Sequence, residues 1–115
     1  MRIYQPAKSL SIHLTEPDRY QGEPLYAAIV EKCREMKIAR ATVFRGLEGY
    51  GGAGEIHRQH LLTRDLPVVV QIVDSDANIQ RLLPVLEDMI DEALIDISDV
   101  STLRICSAAS DGLQV

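Results

Sequence analysis

Residues 66–74, LPVVVQIVD, form a near-continuous apolar run rich in β-branched side chains, the pattern of a strand in the middle of a sheet. Alternation along it places Val68, Val70 and Ile72 on one face and Val69 and Val73 on the other. Such a strand must be covered on both sides. If helices cover only one, the other exposes an apolar patch, and patches of that kind mark association. Any fold for this chain has to satisfy that condition.

The flanking segments supply the rest of the sheet and its cover. Residues 8–15 alternate, with Leu10, Ile12 and Leu14 pointing one way and Ser9, Ser11, His13 and Thr15 the other, which predicts a half-buried strand. A polar turn over residues 16–23 follows. Pro24 suits the first turn of a helix in which Leu25, Ile29, Cys33 and Met36 recur at helical spacing, to about Lys37. Residues 41–50 open with Thr42, Val43 and Phe44 and read as a strand running into a glycine-rich stretch. After the central strand, Ser75 or Asp76 caps a second helix whose buried face is Ile79, Leu82, Leu83, Leu86, Met89 and Ile90; Pro84 within it implies a kink or a late start. A last strand spans residues 97–105. The order strand, helix, strand, strand, helix, strand is the ferredoxin-like βαββαβ plan of the α+β class: a four-stranded antiparallel sheet with two helices on one face. At 115 residues the chain forms one domain, with a core over about residues 8–106 and a frayed tail over 107–115.

Charge excludes one large class of partner. The net charge is −5, yet six acidic residues (Glu87, Asp88, Asp91, Glu92, Asp96 and Asp99) fall together with no basic residue among them, and setting them aside leaves +1. That block reads as a solvated helix end and turn. With no basic stripe or aromatic platform elsewhere, nucleic acid is not expected as a partner. No apolar run approaches the roughly 20 residues that span a bilayer, and the first residues lack a signal-peptide core, so a cytoplasmic location is expected. Cys33 and Cys106 are in no ligand-like spacing and read as reduced, packed thiols.

The chemistry-bearing residues gather in residues 45–64, RGLEGYGGAGEIHRQHLLTR, which hold five of the seven glycines and two of the three histidines. Long loops in small domains tend to carry function. Gly49, Gly51 and Gly52 let backbone N–H groups converge on phosphate oxygens, and His57 can hydrogen-bond a phosphate near neutral pH. Glu55, His57 and His60 suggest a metal, but their spacing matches no closed zinc pattern and no metal is assigned. Glu16, Asp18, Arg19 and Tyr20 form a polar turn that either lines a cleft or, through Asp18, caps local N–H groups. His13 belongs to an interface or the surface. No nucleophile, base or carboxylate pair can be argued from spacing, so no catalytic residue is assigned and an enzyme is not expected.

The stretches LTEPDRYQGEPLYAAIV (14–30), ATVFRGLEGYGGAGEIH (41–57), DLPVVVQIVDS (65–75) and LIDISDV (94–100) resemble the family of domain of unknown function 190, PII-like proteins related in fold to the nitrogen-regulatory PII signalling proteins. The resemblance covers more than four fifths of the chain. It implies a homotrimer with small ligands held in clefts between subunits, an adenine nucleotide such as AMP or ADP as ligand, and a membrane channel or transporter as partner, with a link to fluoride export. Gly49, Tyr50 and Gly51 match the Gly-aromatic-Gly turn at the base of the mobile PII loop. The second PII glycine loop has no counterpart: ALIDISDVSTLR (93–104) lacks glycine and carries acidic residues. A mono- or diphosphate is therefore expected rather than ATP, with Arg104 of the final strand as one positive group and Arg45 or Arg58 of the loop as another. The site expected on these grounds is Arg45, Gly49, Tyr50, Gly51, Gly52, His57, Arg58 and Arg104.

Two other functions are compatible with the residues. One is a metal-binding trimer like the CutA proteins, which share this fold, with His57 and His60 as ligands. The other is a small nucleotide-acting enzyme using Glu48 or His57 as base.

Overall fold

The structure, a computed structural model, describes residues 1–50, 56–58 and 66–107. Its elements run β1 (Arg2–Thr15), β2 (Arg19–Tyr20), β3 (Glu23–Pro24), α1 (Leu25–Glu35), β4 (Arg40–Arg45), β5 (Glu48–Tyr50), β6 (Ile56–Arg58), β7 (Pro67–Asp74), α2 (Asp76–Met89) and β8 (Leu94–Ile105). Four of the strands make an antiparallel sheet in the order β4-β7-β1-β8, with the apolar β7 inside, as its composition required. Both helices lie on one face, so the α+β plan read from the sequence is the observed one.

Burial follows the alternation. Leu10, Ile12 and Leu14 of β1 stand opposite Ile72, Val70 and Val68 of β7 and point into the helices. Leu25, Ile29 and Cys33 of α1 and Ile79, Leu82, Leu86 and Met89 of α2 close over them. A fully buried aliphatic side chain contributes about 1.5–3 kcal/mol, so this single cluster holds the sheet and helices together. Arg81 Nη2 donates to the Met36 carbonyl at 2.9 Å, tying α2 to the end of α1.

Local chemistry sets the element ends. Ser75 Oγ accepts from the Asn78 N–H at 3.2 Å and caps α2. The helix then runs unbroken through Pro84, so there is no late start; Pro84 and Gln80, whose carbonyl loses its N–H partner, are both solvent-exposed. Pro24 stands just before α1 rather than in its first turn. At the other end Ile38 N–H reaches Cys33 O and Lys37 N–H reaches Arg34 O, a Schellman closure with Lys37 at φ 61°. Gln21 and Gly22 both have positive φ and join β2 to β3 in a two-residue hairpin.

Strand lengths differ from the sequence reading at three places. β8 begins at Leu94 rather than residue 97, its first residues pairing with residues 11–13, and β1 begins at Arg2 rather than residue 8, because residues 2–7 pair with residues 100–105. β7 pairs with β1 only as far as Lys8 opposite Asp74, so that length is a two-stranded arm beyond the sheet. Solvent reaches both of its faces, which removes the alternation that would have revealed it. Residues 41–50 are not one strand: β4 ends at Arg45, and the Gly46 N–H still donates to the Pro67 carbonyl at 2.8 Å in the same register, where proline has no N–H to return. At the arm's tip the Met1 amino group donates to the Cys106 carbonyl at 2.7 Å. The tail beyond residue 107 lies outside the described residues.

Candidate functional site

The helix-free face of the sheet is open. Its register lines up Phe44, Val69, His13 and Leu94 in one row across β4, β7, β1 and β8. Phe44 is 52% and Leu94 69% exposed, while Val69 is half-buried by its strand neighbours. His13 Nε2 lies 2.8 Å from Asp96 Oδ2 on the same face. The patch required by a two-faced β7 therefore exists, crossed by one polar pair. The acidic block is split: Glu87, Asp88, Asp91 and Glu92 are exposed at the helix end and turn, whereas Asp96 and Asp99 belong to β8 and face His13 and Lys8.

The loop base is built at one end of this sheet. Gly46 is wedged on Pro67, where an added β-carbon would lie 2.7 Å from Cγ, and at Gly49 the same contact would be 3.3 Å. Only glycine lets the chain approach Pro67 this closely. The turn between them throws Leu47 and Tyr50 outward, 78% and 76% exposed. β5 then pairs with β6, Gly49 opposite His57 and Glu48 opposite Arg58. Gly51 and Gly52 lie outside the described residues, as do Glu55 and His60.

Arg45 ends β4 at this base and is paired through Nε with Glu16 Oε1. Glu16 follows β1 directly, and its N–H donates to Leu66 O at 3.0 Å, so the ion pair straddles β7. The sequence places Glu16 with Asp18, Arg19 and Tyr20 in a polar turn that either lines a cleft or caps local N–H groups, but no local pattern links it to a residue 29 positions away. Asp18, in the same turn, accepts the Thr15 N–H at 2.9 Å, the local capping role, and Arg19 donates to the Glu16 carbonyl at 2.9 Å.

Arg104 stands apart. It lies in the arm opposite Ile3, eleven residues along β1 from Leu14, the neighbour of Val68 and thus of Arg45. At about 3.3 Å per residue that is about 36 Å of strand. Within one chain the structure brings together Arg45, Gly49 and Tyr50 with the backbone of His57 and Arg58, and leaves Arg104 at the far end. There it lines a groove of about 750 Å³ with Arg40, Val73 and Asp74. Asp74 accepts N–H groups from Ala39 at 2.8 Å and Ser75 at 2.6 Å. Burial works against its charge, but these bonds and the Asn78 and Ser75 side chains outweigh it and hold the carboxyl below its ordinary range.

Nothing in the described part supplies an activated nucleophile. Both cysteines are free and buried, and burial pushes the Cys33 thiol up to about 11. Among the described residues no three His, Cys, Asp or Glu side chains gather as a metal site would require, and no helix is long and apolar enough to cross a membrane.

Comparison with known proteins agrees with this architecture. The DUF190 family, described as an uncharacterized ACR, matches residues 7–102. A UPF0166 protein of Aquifex aeolicus is 36% identical over 105 residues, covering 90% of this chain and 98% of the relative. In fold, the chain is similar to CPII of Thiomonas intermedia K12, a nitrogen regulatory PII-like protein whose structure holds ADP, AMP and bicarbonate. That match has a TM-score of 0.62 and 17% identity over 87% of this chain and 91% of that one. The divalent ion tolerance protein CutA1 of Ehrlichia chaffeensis is also similar, with a TM-score of 0.58 and 15% identity over 82% of this chain and 80% of that one. Matched over residues 7–102 by the family model, and sharing its fold with solved PII-like proteins, this chain belongs to the DUF190 family.

Proposed function

We propose that this protein is a cytoplasmic PII-like regulator that binds an adenine nucleotide, AMP or ADP, between subunits of a homotrimer and acts by binding without turnover. The observation that carries this reading is the close-packed turn at the loop base. Gly46 and Gly49 are seated on Pro67, and next to them in sequence stand the half-exposed guanidinium of Arg45 and the exposed aromatic ring of Tyr50. An aromatic face and a cationic fork a few residues apart suit the base and the phosphate of a nucleotide. The ADP and AMP held by CPII support the same ligand class.

Association completes the site. The open face with Phe44 and Leu94 is covered by copies of the chain, and the clefts between them let Arg104 of one copy approach the loop base of the next. A head-to-tail contact of this kind closes into a ring. Ligand binding then changes the surface shown to a partner, a membrane transporter in this reading. Native mass spectrometry of the full chain with AMP, ADP and ATP tests it. Three-chain particles carrying AMP or ADP are expected; only 12.8 kDa particles without adduct would overturn it.

A further inference from the structure

Glu16 and Arg45 are unequally buried: the Glu16 side chain is 13% exposed and that of Arg45 55%. The contact is made through Arg45 Nε, and the Arg45 side chain is more than half exposed beyond it. Glu16 is also anchored by its backbone, through the bond to Leu66 O and the Arg19 guanidinium on its carbonyl. It cannot follow Arg45 outward. If Arg45 left, a mostly buried carboxylate would lose its counter-charge, a costly arrangement.

We infer that Glu16 is a positioning and specificity-determining residue of the nucleotide site, and that it sets how many phosphate charges the loop base accepts. This rests on the function proposed above. Holding Nε fixes the guanidinium plane and presents its outer edge, a two-donor fork that fits one phosphate. The carboxylate behind it cancels much of the field that further phosphates would feel, since at their distance Arg45 and Glu16 act as a dipole rather than as a cation. The pair thus offers geometry for one phosphate and little attraction for additional charge.

Calorimetry of the full-length protein with AMP, ADP and ATP at fixed ionic strength tests this through Glu16→Gln, which keeps an oxygen acceptor for Nε and removes the charge. ATP affinity should rise by about tenfold relative to AMP, the two added charges now meeting an uncompensated cation. Glu16→Ala, which also releases the guanidinium, should weaken AMP. An unchanged ATP-to-AMP ratio in Glu16→Gln overturns the inference. If that variant does not fold, Glu16→Gln/Arg45→Gln replaces the pair by neutral amides; AMP should weaken while the ratio stays within about twofold of the parent, because the pair was already neutral overall. A larger change in ratio overturns the inference. Should the parent protein bind no nucleotide, the proposed function fails on its own. The Arg45 Nε–H resonance, titrated with inorganic pyrophosphate, then decides about Glu16. A response stronger in Glu16→Gln than in the parent supports it, and an equal or absent response rejects it.

Discussion

Gly46 and Pro67 touch so closely that the Gly46 N–H donates to the Pro67 carbonyl at 2.8 Å while its α-carbon rests on the proline ring. Because the clashing ring carbon would be 2.7 Å away, Gly46→Ala must shift either strand end. Destabilisation of about 1–3 kcal/mol is expected by urea unfolding, the usual range for overpacking. A variant as stable as the parent would mean that the loop base is not held as described.

Lys37 ends α1 in a left-handed conformation that glycine adopts without strain. Lys37→Gly should raise stability by about 0.5–1 kcal/mol, provided the Schellman closure to Cys33 and Arg34 persists. Thermal unfolding checks the sign: a lower midpoint would contradict the assigned backbone.

Asp74 gives stability a definite acid limb. Its carboxyl is held below the ordinary 3.8 in the folded state. Above that value it is ionised in both states and its contribution is complete. As pH falls, the unfolded chain takes up the proton first, and the contribution is lost until the folded carboxyl is protonated too. Asp74→Asn should therefore lose less stability than the parent when pH is lowered from about 4 towards 2, measured by denaturant midpoints. Parallel curves would show that the bonds from Ala39 and Ser75 do not favour the charged form.

On the open face, Phe44→Asp and Leu94→Asp place charge where one copy should cover another. Sedimentation velocity at micromolar concentration should shift towards single chains while circular dichroism stays unchanged. Persistence of the parent's assembly in both variants would move the interface elsewhere.

Tyr50→Ala should weaken AMP by about 1–3 kcal/mol in calorimetry, the range for losing one base–aromatic stack. Affinity within twofold of the parent would remove the ring from the site.

Much of this architecture could be read in the chain because it depends on periodicity. Leu10, Ile12, Leu14 and the valines of β7 declare their facing by alternation, and α1 and α2 by helical spacing. The arm escaped because Ile3 and Leu103 lie where no layer buries one side, so no alternation is imposed on them. At the loop base, Gly49 and Tyr50 stand out in the sequence through their resemblance to the Gly-aromatic-Gly turn of PII proteins. Glu16 does not: its partner is distant in sequence and is met only because β7 inserts between β1 and β4. Arg104 was grouped with the loop by charge, whereas strand register sends it to the opposite end.

The bond between Met1 and Cys106 makes the topology nearly circular. A short peptide bridging those two points would leave every strand pairing of the sheet intact, and the chain could then be opened in the hairpin between β2 and β3. Such a permutant would separate the requirement for the fold from the requirement for its native order of synthesis. It would also leave the tip of the arm, two residues from Arg104, without chain ends.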